Sequence, residues 1–536
     1  MMGHNKKLMR DGRCEMQNII TTIFLLYMGA VYPLVMHDRY FDITVTKYRA
    51  FSIAICIYAV LMILAVLVDV LDGIDRKKHA GKREAVTGSF IKRHNIMAVD
   101  IFMALFILAN VMAFIMAPDK TAAFTGEEGR RCGLQFMLLV MFLYLCMARG
   151  CTVKKVAAIV FMAVGFVVEI VALCQYMGAD FLKLREGLGV DIQSIYISTF
   201  GNIDIFGSFL CVLVPVAMGA YLGASFQKSV VVKAVSLVTM VLGAAAAVIT
   251  NANLVYIGIA AALVIAFVWS AYRGCIVRFT DVCLALAFGV LVINMLLDAN
   301  GKLETELDGI SRMVSDKNIA VTVFAVLAVI KLVMIFFSSK IDKISGVKAL
   351  IAAVLIVIAG GATGLVCVSD RTGSLFSFDD SWGNYRGYVW RRLMESFREF
   401  NLPHKLFGYG NESVKEIMTS GYYDEMMDDI GVVYDNAHNE YLQYLVTTGL
   451  FGALAYVGLI VSAIVMLIRT AVSAVKEESD TEGGFIALAL GIAGYASQAF
   501  VNLNQSLTTP YVFLMIAMAA GVCRARRIEK DEDKGR

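Results

Sequence analysis

The chain consists largely of apolar runs of about 20 residues, which recur from end to end and are separated by polar connections. Backbone groups in a bilayer must find hydrogen bonds within their own segment, so each run predicts a membrane-spanning α-helix. A membrane barrel would instead show short segments of alternating residues. The sequence therefore predicts an all-α polytopic membrane bundle with about 12–14 spans. The predicted spans are 18–37, 49–70, 97–117, 133–149, 156–177, 204–222, 231–249, 254–272, 280–298, 319–338, 347–368, 440–468, 484–503 and 509–523.

Composition agrees with a membrane protein. The chain is 59% hydrophobic and 17% charged, with a mean hydropathy of +0.70, whereas soluble domains carry about 25% charged residues. The net charge of +3 gives no indication of nucleic-acid binding. The 11 cysteines show no C-x-x-C spacing, so we interpret them as small apolar residues of helices. No small-residue cleavage site follows the first run, which predicts a retained first span.

Lysine and arginine are unevenly distributed over the loops, and this predicts an orientation. With the N-terminus inside, the cationic residues concentrate in the loops that face the cytoplasm, such as 71–96 and 524–536. Both termini are therefore predicted to be cytoplasmic, and the long loop 369–439 is predicted to be extracytoplasmic. The basic 71–96 loop is expected to contact anionic lipid headgroups.

The spans and loops divide the chain into five predicted segments. They are N-terminal transmembrane helices (1–190), central transmembrane helices (191–368), an extracytoplasmic catalytic loop (369–439), C-terminal transmembrane helices (440–523) and a mixed-charge, disordered cytoplasmic tail (524–536).

The long loop contains a predicted surface helix. Between 384 and 400, apolar residues recur at helical spacing and arginines are interleaved with them, which is typical of an amphipathic helix lying on a membrane. Pro403 is predicted to end this helix. Gly408 and Gly410 then allow a close approach of two backbones. The acidic stretch 424–435 is interpreted as a solvated loop, and the alternative is a role in binding acceptor hydroxyls or a cation. The arginines are Arg386, Arg391, Arg392 and Arg398.

His438 is the best candidate for acid–base chemistry, since histidine titrates near neutral pH. It is one of 6 histidines, and it lies between Asn436 and Asn439 where the loop returns to the membrane. The alternative interpretation is an interfacial belt of histidine, asparagine and tyrosine with no chemistry.

Several motifs resemble the O-antigen ligase and polymerase family. His438-Asn439-Glu440-Tyr441-Leu442-Gln443-Tyr444-Leu445, followed by Gly449-Leu450-Phe451-Gly452, is similar to the family pattern H-N-x-x-L-Q-x-L with G-L-x-G. Arg386 with Val389-Trp390, and Pro403 with Gly408-Tyr409-Gly410, resemble its loop motifs. Phe200-Gly201-Asn202, Gln498–Asn502 and Thr509-Pro510 resemble further motifs, so the similarity covers roughly 195–523.

The resemblance implies glycan transfer from an undecaprenyl-diphosphate-linked donor at the outer leaflet. It assigns His438 as the general base and Arg386 as a fork for the diphosphate. Asn202 is a further candidate for substrate binding, and so are Asn436 and Asn439, either of which could orient the acceptor or the imidazole. The long loop contains no Asp-x-Asp pair, so we expect arginines to act in place of a metal ion and expect no cofactor.

Two positions depart from the family pattern. Ala252-Asn253 stands where Ser-Arg is usual, so an arginine that helps to hold the diphosphate is missing. This shifts the expected phosphate contacts to Arg371, Arg391 or Arg392. Ile203-Asp204 stands where Pro-Asn is usual.

The sequence leaves the acceptor open. It can be another lipid-linked glycan (polymerase), a lipid core (ligase) or a protein hydroxyl (protein O-oligosaccharyltransferase). From another class, a lipid-linked glycan flippase or transporter is the alternative, and it should carry its charges within the spans. A catalytically silent relative is the third reading, supported by Asn253.

Overall fold

The structure, a computed structural model, describes residues 16–80, 96–149, 154–223, 228–300, 307, 309–336, 379–477, 479 and 481–534. Within these residues the chain is almost entirely helical, and its one sheet is a hairpin of two short antiparallel strands, β1 (Tyr196–Ile197) and β2 (Gly201–Asn202).

The helices are α1 (Met16–Leu34, which ends in a π turn and a 3₁₀ turn), α2 (Ile43–Ala80), α3 (Ala98–Met116), α4 (Lys120–Thr125), α5 (Leu134–Met147), α6 (Lys155–Tyr176), α7 (Ile203–Leu222), α8 (Val230–Ile249), α9 (Asn253–Arg273), α10 (Ile276–Asn300), α11 (Gly309–Val314), α12 (Lys317–Phe336), α13 (Trp382–Glu399), α14 (Leu402–Phe407), α15 (Val414–Asp429), α16 (Glu440–Lys476), α17 (Glu482–Gln498) and α18 (Thr509–Lys534).

In the described part of the chain, 11 helices are long and apolar enough to cross a membrane. They are α1, α2, α3, α6, α7, α8, α9, α10, α12, α16 and α17. The predicted spans 133–149 and 509–523 correspond to the short helix α5 and to the apolar start of α18. The predicted span 347–368 lies outside the described residues. The expected all-α, multi-pass membrane bundle is confirmed.

Helix α7 forms the centre of the bundle, and 94% of its apolar window is buried. It packs on α17 through small residues. A Cβ on Gly219 would lie 2.5 Å from Ala487 Cα, and one on Gly223 would lie 2.3 Å from Gly483 Cα. The two backbones therefore touch, as is common where helices associate in membranes.

The helix ends define two opposite ends of the bundle. At the end that we call the His438 end, the connection before α5 contacts the long loop, and the 499–508 connection contacts both the α5 side and the start of α7. At the other end, which we call the Arg524 end, Arg524 pairs with Asp100 at 2.6 Å, and Arg526 pairs with Glu477 at 2.8 Å.

Charged residues inside the spans are accommodated by packing or pairing. Lys331 of α12 pairs with Asp281 of α10 at 2.8 Å and donates to the Val277 carbonyl at 2.6 Å. The same carboxylate accepts from Tyr221 of α7 at 3.1 Å. Glu169 of α6 is fully buried, with neither carboxylate oxygen bonded among the described residues.

Three expectations about the loops and the tail are wrong. The segment after 523 is not disordered, because α18 continues to Lys534. Pro403 does not end the surface helix; that helix ends at Glu399, and Pro403 lies in the first turn of α14, where a missing N–H is tolerated. The acidic stretch is not wholly a loop, because α15 extends to Asp429.

Candidate functional site

The long loop is fixed to the bundle where α16 is kinked. Gly449 has φ +70°, which interrupts the helical hydrogen bonds. Tyr409 N and Gly410 N donate to the Val446 and Thr447 carbonyls at 3.0 and 3.1 Å. The crossing is so close that a Cβ on Gly408 would lie 2.1 Å from the Thr447 oxygen. This explains why the sequence carries glycines here: the crossing anchors the loop beside the start of α16.

His438 lies in a left-handed backbone conformation, with φ +46°. Its N–H donates to Asn436 Oδ1 at 2.8 Å. Asn439 caps α16, since its Oδ1 accepts from Tyr441 N at 3.1 Å and from Leu442 N at 3.0 Å. A non-glycine residue with positive φ is strained and persists only where its surroundings enforce it. The two asparagines therefore hold the backbone of His438 in place.

The ring of His438 is largely enclosed by its surroundings. Nδ1 is buried and has no hydrogen-bond partner among the described residues, while the residue as a whole is only partly buried. Tyr434 packs edge-on, with ring centroids 6.0 Å apart. Burial, aided by the charges of Arg386 and Arg130, lowers the pKa of His438 to about 4, and Asp435 opposes the shift. The imidazole is therefore neutral at neutral pH, as a general base requires.

Arg386 lies close enough to act on His438 electrostatically. It follows three left-handed residues, Gly383, Asn384 and Tyr385, and begins the regular part of α13. The Tyr434 hydroxyl donates to the Asn384 carbonyl at 2.7 Å. Tyr434 therefore links the segment before Arg386 to the segment before His438, and the structure brings these two predicted residues together.

Arg386 also faces the start of α7. Its Nη2 lies 3.6 Å from Asp204 Oδ2. Asn202 caps α7 by accepting from Asp204 N at 2.8 Å, and Asn502 Nδ2 donates to the Asp204 carbonyl at 3.3 Å. The departure from the family pattern at Asp204 thus supplies a carboxylate partner for Arg386.

A cluster around Arg130 was not predicted from the sequence. Arg130 Nη1 donates to Asp435 Oδ2 at 2.9 Å, and Nη2 donates to the Asp435 carbonyl at 3.0 Å. Its Nε donates to Glu412 Oε2 at 3.2 Å, and burial raises the pKa of Glu412 even though Arg130 opposes the shift. The sequence signal was the Arg130-Arg131 pair in a short loop on the side where few cations are expected.

Glu440 was also missed as a buried anchor. Its carboxylate is fully buried at the first turn of α16 and accepts from the hydroxyls of Tyr456 at 2.9 Å and Tyr495 at 3.2 Å. The Tyr495 hydroxyl lies 2.8 Å from Thr509 Oγ1. Hydrogen bonds thereby connect Glu440, two residues after His438, to α17 and through Tyr495 to α18.

Arg391 and Arg392 are occupied by carboxylates. Arg391 Nε donates to Asp380 at 2.9 Å. Arg392 pairs with Glu395 at 3.0 Å and with Glu425 at 2.5 Å. The proposed phosphate contacts of both arginines remain predictions that require these pairs to open. Arg371 lies outside the described residues.

The apolar face of α13 packs on the protein. Tyr388, Val389, Trp390 and Leu393 are buried, and Trp390 Nε1 donates to the Ala437 carbonyl at 2.8 Å. The helical spacing of apolar residues in 384–400 includes Tyr385, but this residue precedes the regular part of the helix. The packing fixes the distance between the helix that carries Arg386 and the segment that carries His438.

A groove of about 570 Å³ opens beside this contact. Trp390, Met394, Leu442 and Phe500 form its apolar part, and Asn439 reaches its wall. Asn253, where the family arginine is missing, is exposed at the start of α9, and a Cβ on Gly309 of α11 would lie 3.6 Å from its Oδ1. In the described residues, no group of three or more His, Cys, Asp or Glu is arranged to hold a metal ion.

Residues 313–457 match the model of a known protein family, the O-antigen ligases. No curated protein sequence matches the chain significantly. The match begins at the last two residues of α11 and ends within the first half of α16, and it includes α13, Arg386 and His438. It confirms the resemblance to the O-antigen ligase and polymerase family, and it supports a role as a polysaccharide ligase or polymerase of the membrane.

Proposed function

We propose, from the match of residues 313–457 to O-antigen ligases, that this protein transfers a glycan from an undecaprenyl-diphosphate-linked donor to an acceptor hydroxyl. The observation that carries the proposal is the neutral, partly accessible His438 held next to Arg386 within the matched segment. In our orientation both termini are cytoplasmic, the membrane is the cell membrane, and the reaction occurs on its outer side.

In the proposed reaction, the acceptor hydroxyl gives its proton to His438 Nε2 while its oxygen bonds to the anomeric carbon of the donor. The bond from that carbon to the diphosphate oxygen breaks, and undecaprenyl diphosphate leaves with the electron pair. Arg386 stabilises the charge that develops on the leaving group, which is often the largest electrostatic contribution. Arg386 must then exchange Asp204 for the diphosphate. Asn202 and Asn439 border the space where the substrates meet.

Three acceptors are compatible with this chemistry. We favour a second lipid-linked glycan, and thus a polymerase, because Asn253 replaces the arginine of the family pattern. A ligase or a protein O-oligosaccharyltransferase are the alternatives. A flippase is less well supported, because Lys331 is paired with Asp281 inside the bundle, whereas Arg386 and Arg130 lie with His438 at one end.

The decisive experiment uses the purified protein in lipid vesicles with a polyprenyl-diphosphate oligosaccharide. It follows both product length and release of polyprenyl diphosphate. His438→Ala should lower turnover by about 10²–10⁴-fold, the contribution expected of a general base. His37→Ala, at a histidine whose side chain is 79% exposed, is the matched control and should be unaffected. A folded His438→Ala protein with normal turnover refutes the role of His438, and a wild type that never releases polyprenyl diphosphate refutes transfer.

A further inference from the structure

A second, basic cleft lies at the Arg524 end, remote from His438. It has a volume of about 310 Å³ and lies between the start of α3, the last turns of α16 and the second half of α18. Its cationic residues are Arg469 of α16 and Arg526, Arg527 and Lys530 of α18.

Two of these cations remain available for a ligand. Arg526 pairs with Glu477 at 2.8 Å and donates to Thr481 at 2.8 Å, and Lys530 pairs with the same Glu477. Arg469 and Arg527 are exposed, and the described residues give neither of them an ion-pair partner. Among the described side chains, the four cations of the cleft therefore share one carboxylate, which leaves this part of the cleft with a positive charge. Such a cleft attracts an anion such as a phosphate group.

The surroundings of the cleft are apolar. Val465 lies in its wall, and Val461, Val457 and Leu454 continue from it along one face of α16, with exposed fractions of 51%, 40% and 61%. In a multi-pass membrane protein, such a face contacts hydrocarbon chains. The cations at the end of the span match the anionic headgroup of a phospholipid, since basic pockets between spans bind such headgroups. The apolar stripe beside them matches its acyl chains.

We propose that this cleft binds one anionic phospholipid, with its phosphate at Arg469 and Arg527 and its acyl chains along the α16 face. The ligand is a lipid of the leaflet at the Arg524 end, and its site is independent of glycan transfer. A free phosphate ion would use the cations but not the apolar stripe.

The test places the intact protein in nanodiscs of phosphatidylcholine containing a few per cent phosphatidylglycerol. Native mass spectrometry measures the lipids retained, and thermal unfolding measures stabilisation. The wild type should retain one phosphatidylglycerol in preference to phosphatidylcholine. Arg469→Ala with Arg527→Ala should weaken this binding by about tenfold or more, because each basic residue at a membrane surface contributes to the attraction. Arg149→Ala with Lys233→Ala removes two cations that do not line the cleft and should retain the lipid.

Equal loss in both double variants would mean that only bulk charge attracts the lipid, and this overturns the site. Equal stabilisation by inorganic phosphate would overturn the lipid assignment. Should the double variant fail to fold, the lipid preference of the wild type still decides, since equal retention of both lipids refutes the proposal.

Discussion

His438 combines a strained backbone with a ring that stays neutral. A left-handed non-glycine residue costs roughly 1–3 kcal/mol, so the contacts of Asn436 and the cap of Asn439 must offset this strain. The same packing buries Nδ1. Burial of this short segment therefore keeps the imidazole neutral at neutral pH, while the hydrogen bonds of the two asparagines stabilise the local backbone.

The charges around His438 predict a pH dependence. Because the pKa of His438 is about 4, turnover should persist as the pH falls through 6.5 and should drop only near pH 4. Arg130→Gln removes a positive charge that lowers this pKa, so the acid limit of activity should move to higher pH. Asp435→Asn removes the opposing negative charge and should move the limit to lower pH.

The readout is the pH profile of turnover, with thermal unfolding measured in parallel. Arg130→Gln should also destabilise the fold, since breaking a buried ion pair costs roughly 3–5 kcal/mol. A uniform loss of rate at every pH, with no shift of the acid limit, would show that Arg130 is only structural.

If Arg386 binds the diphosphate, arginine and lysine at this position should differ in activity. Arg386→Lys keeps the charge but loses the planar fork that can hold two phosphate oxygens, so turnover should fall by about 10²-fold. Arg149→Lys, at an exposed arginine that follows α5 and does not line the groove, is the control and should have little effect. Equal turnover in the wild type and Arg386→Lys would exclude a bidentate contact with the diphosphate.

At the scale of elements, the turn after α14 crosses the kink of α16, and this crossing, which we call the joint, attaches the long loop to the bundle. The kink at Gly449 frees two carbonyls, and the loop supplies two N–H groups to them. Since polar backbone groups must be paired when buried, neither the kink nor the turn is stable without the other. The joint determines where the loop that ends in His438 meets the bundle.

Adding one methyl group should disrupt this joint. In Gly408→Ala, the new Cβ would lie 2.1 Å from the Thr447 oxygen at a residue with φ +83°, so we expect destabilisation by about 2–3 kcal/mol. Gly421→Ala is the matched control, because nothing lies within 4 Å of a Cβ there, and it should be neutral or slightly stabilising. Thermal unfolding measures both variants. Equal melting temperatures for the wild type and Gly408→Ala would contradict the close crossing.

At the scale of the whole molecule, sequence reasoning located the 11 spans of the described residues, because apolar length alone defines them. It also singled out His438 and Arg386 as candidates, because their motifs are local, and their roles stay predictions. It missed Arg130 because that residue is separated from its partner Asp435 by 305 positions in sequence, and no local pattern encodes the contact. Glu440 was missed for a similar reason. Its partners Tyr456 and Tyr495 lie within apolar runs of the sequence, and nothing local shows that their hydroxyls contact a carboxylate.

The bundle separates its charges into two ends, and the orientation of these ends can be tested. Ser420 of α15 is exposed at the His438 end, and Thr481 is exposed at the Arg524 end. The bias of lysine and arginine predicts that the first faces outward and the second faces the cytoplasm. In intact cells, a membrane-impermeant maleimide should label Ser420→Cys, whereas Thr481→Cys should react only after permeabilisation. The wild type measures the background from native cysteines. Labelling of Thr481→Cys alone in intact cells would invert the orientation and place His438 on the cytoplasmic side, where an outer-leaflet donor cannot reach it.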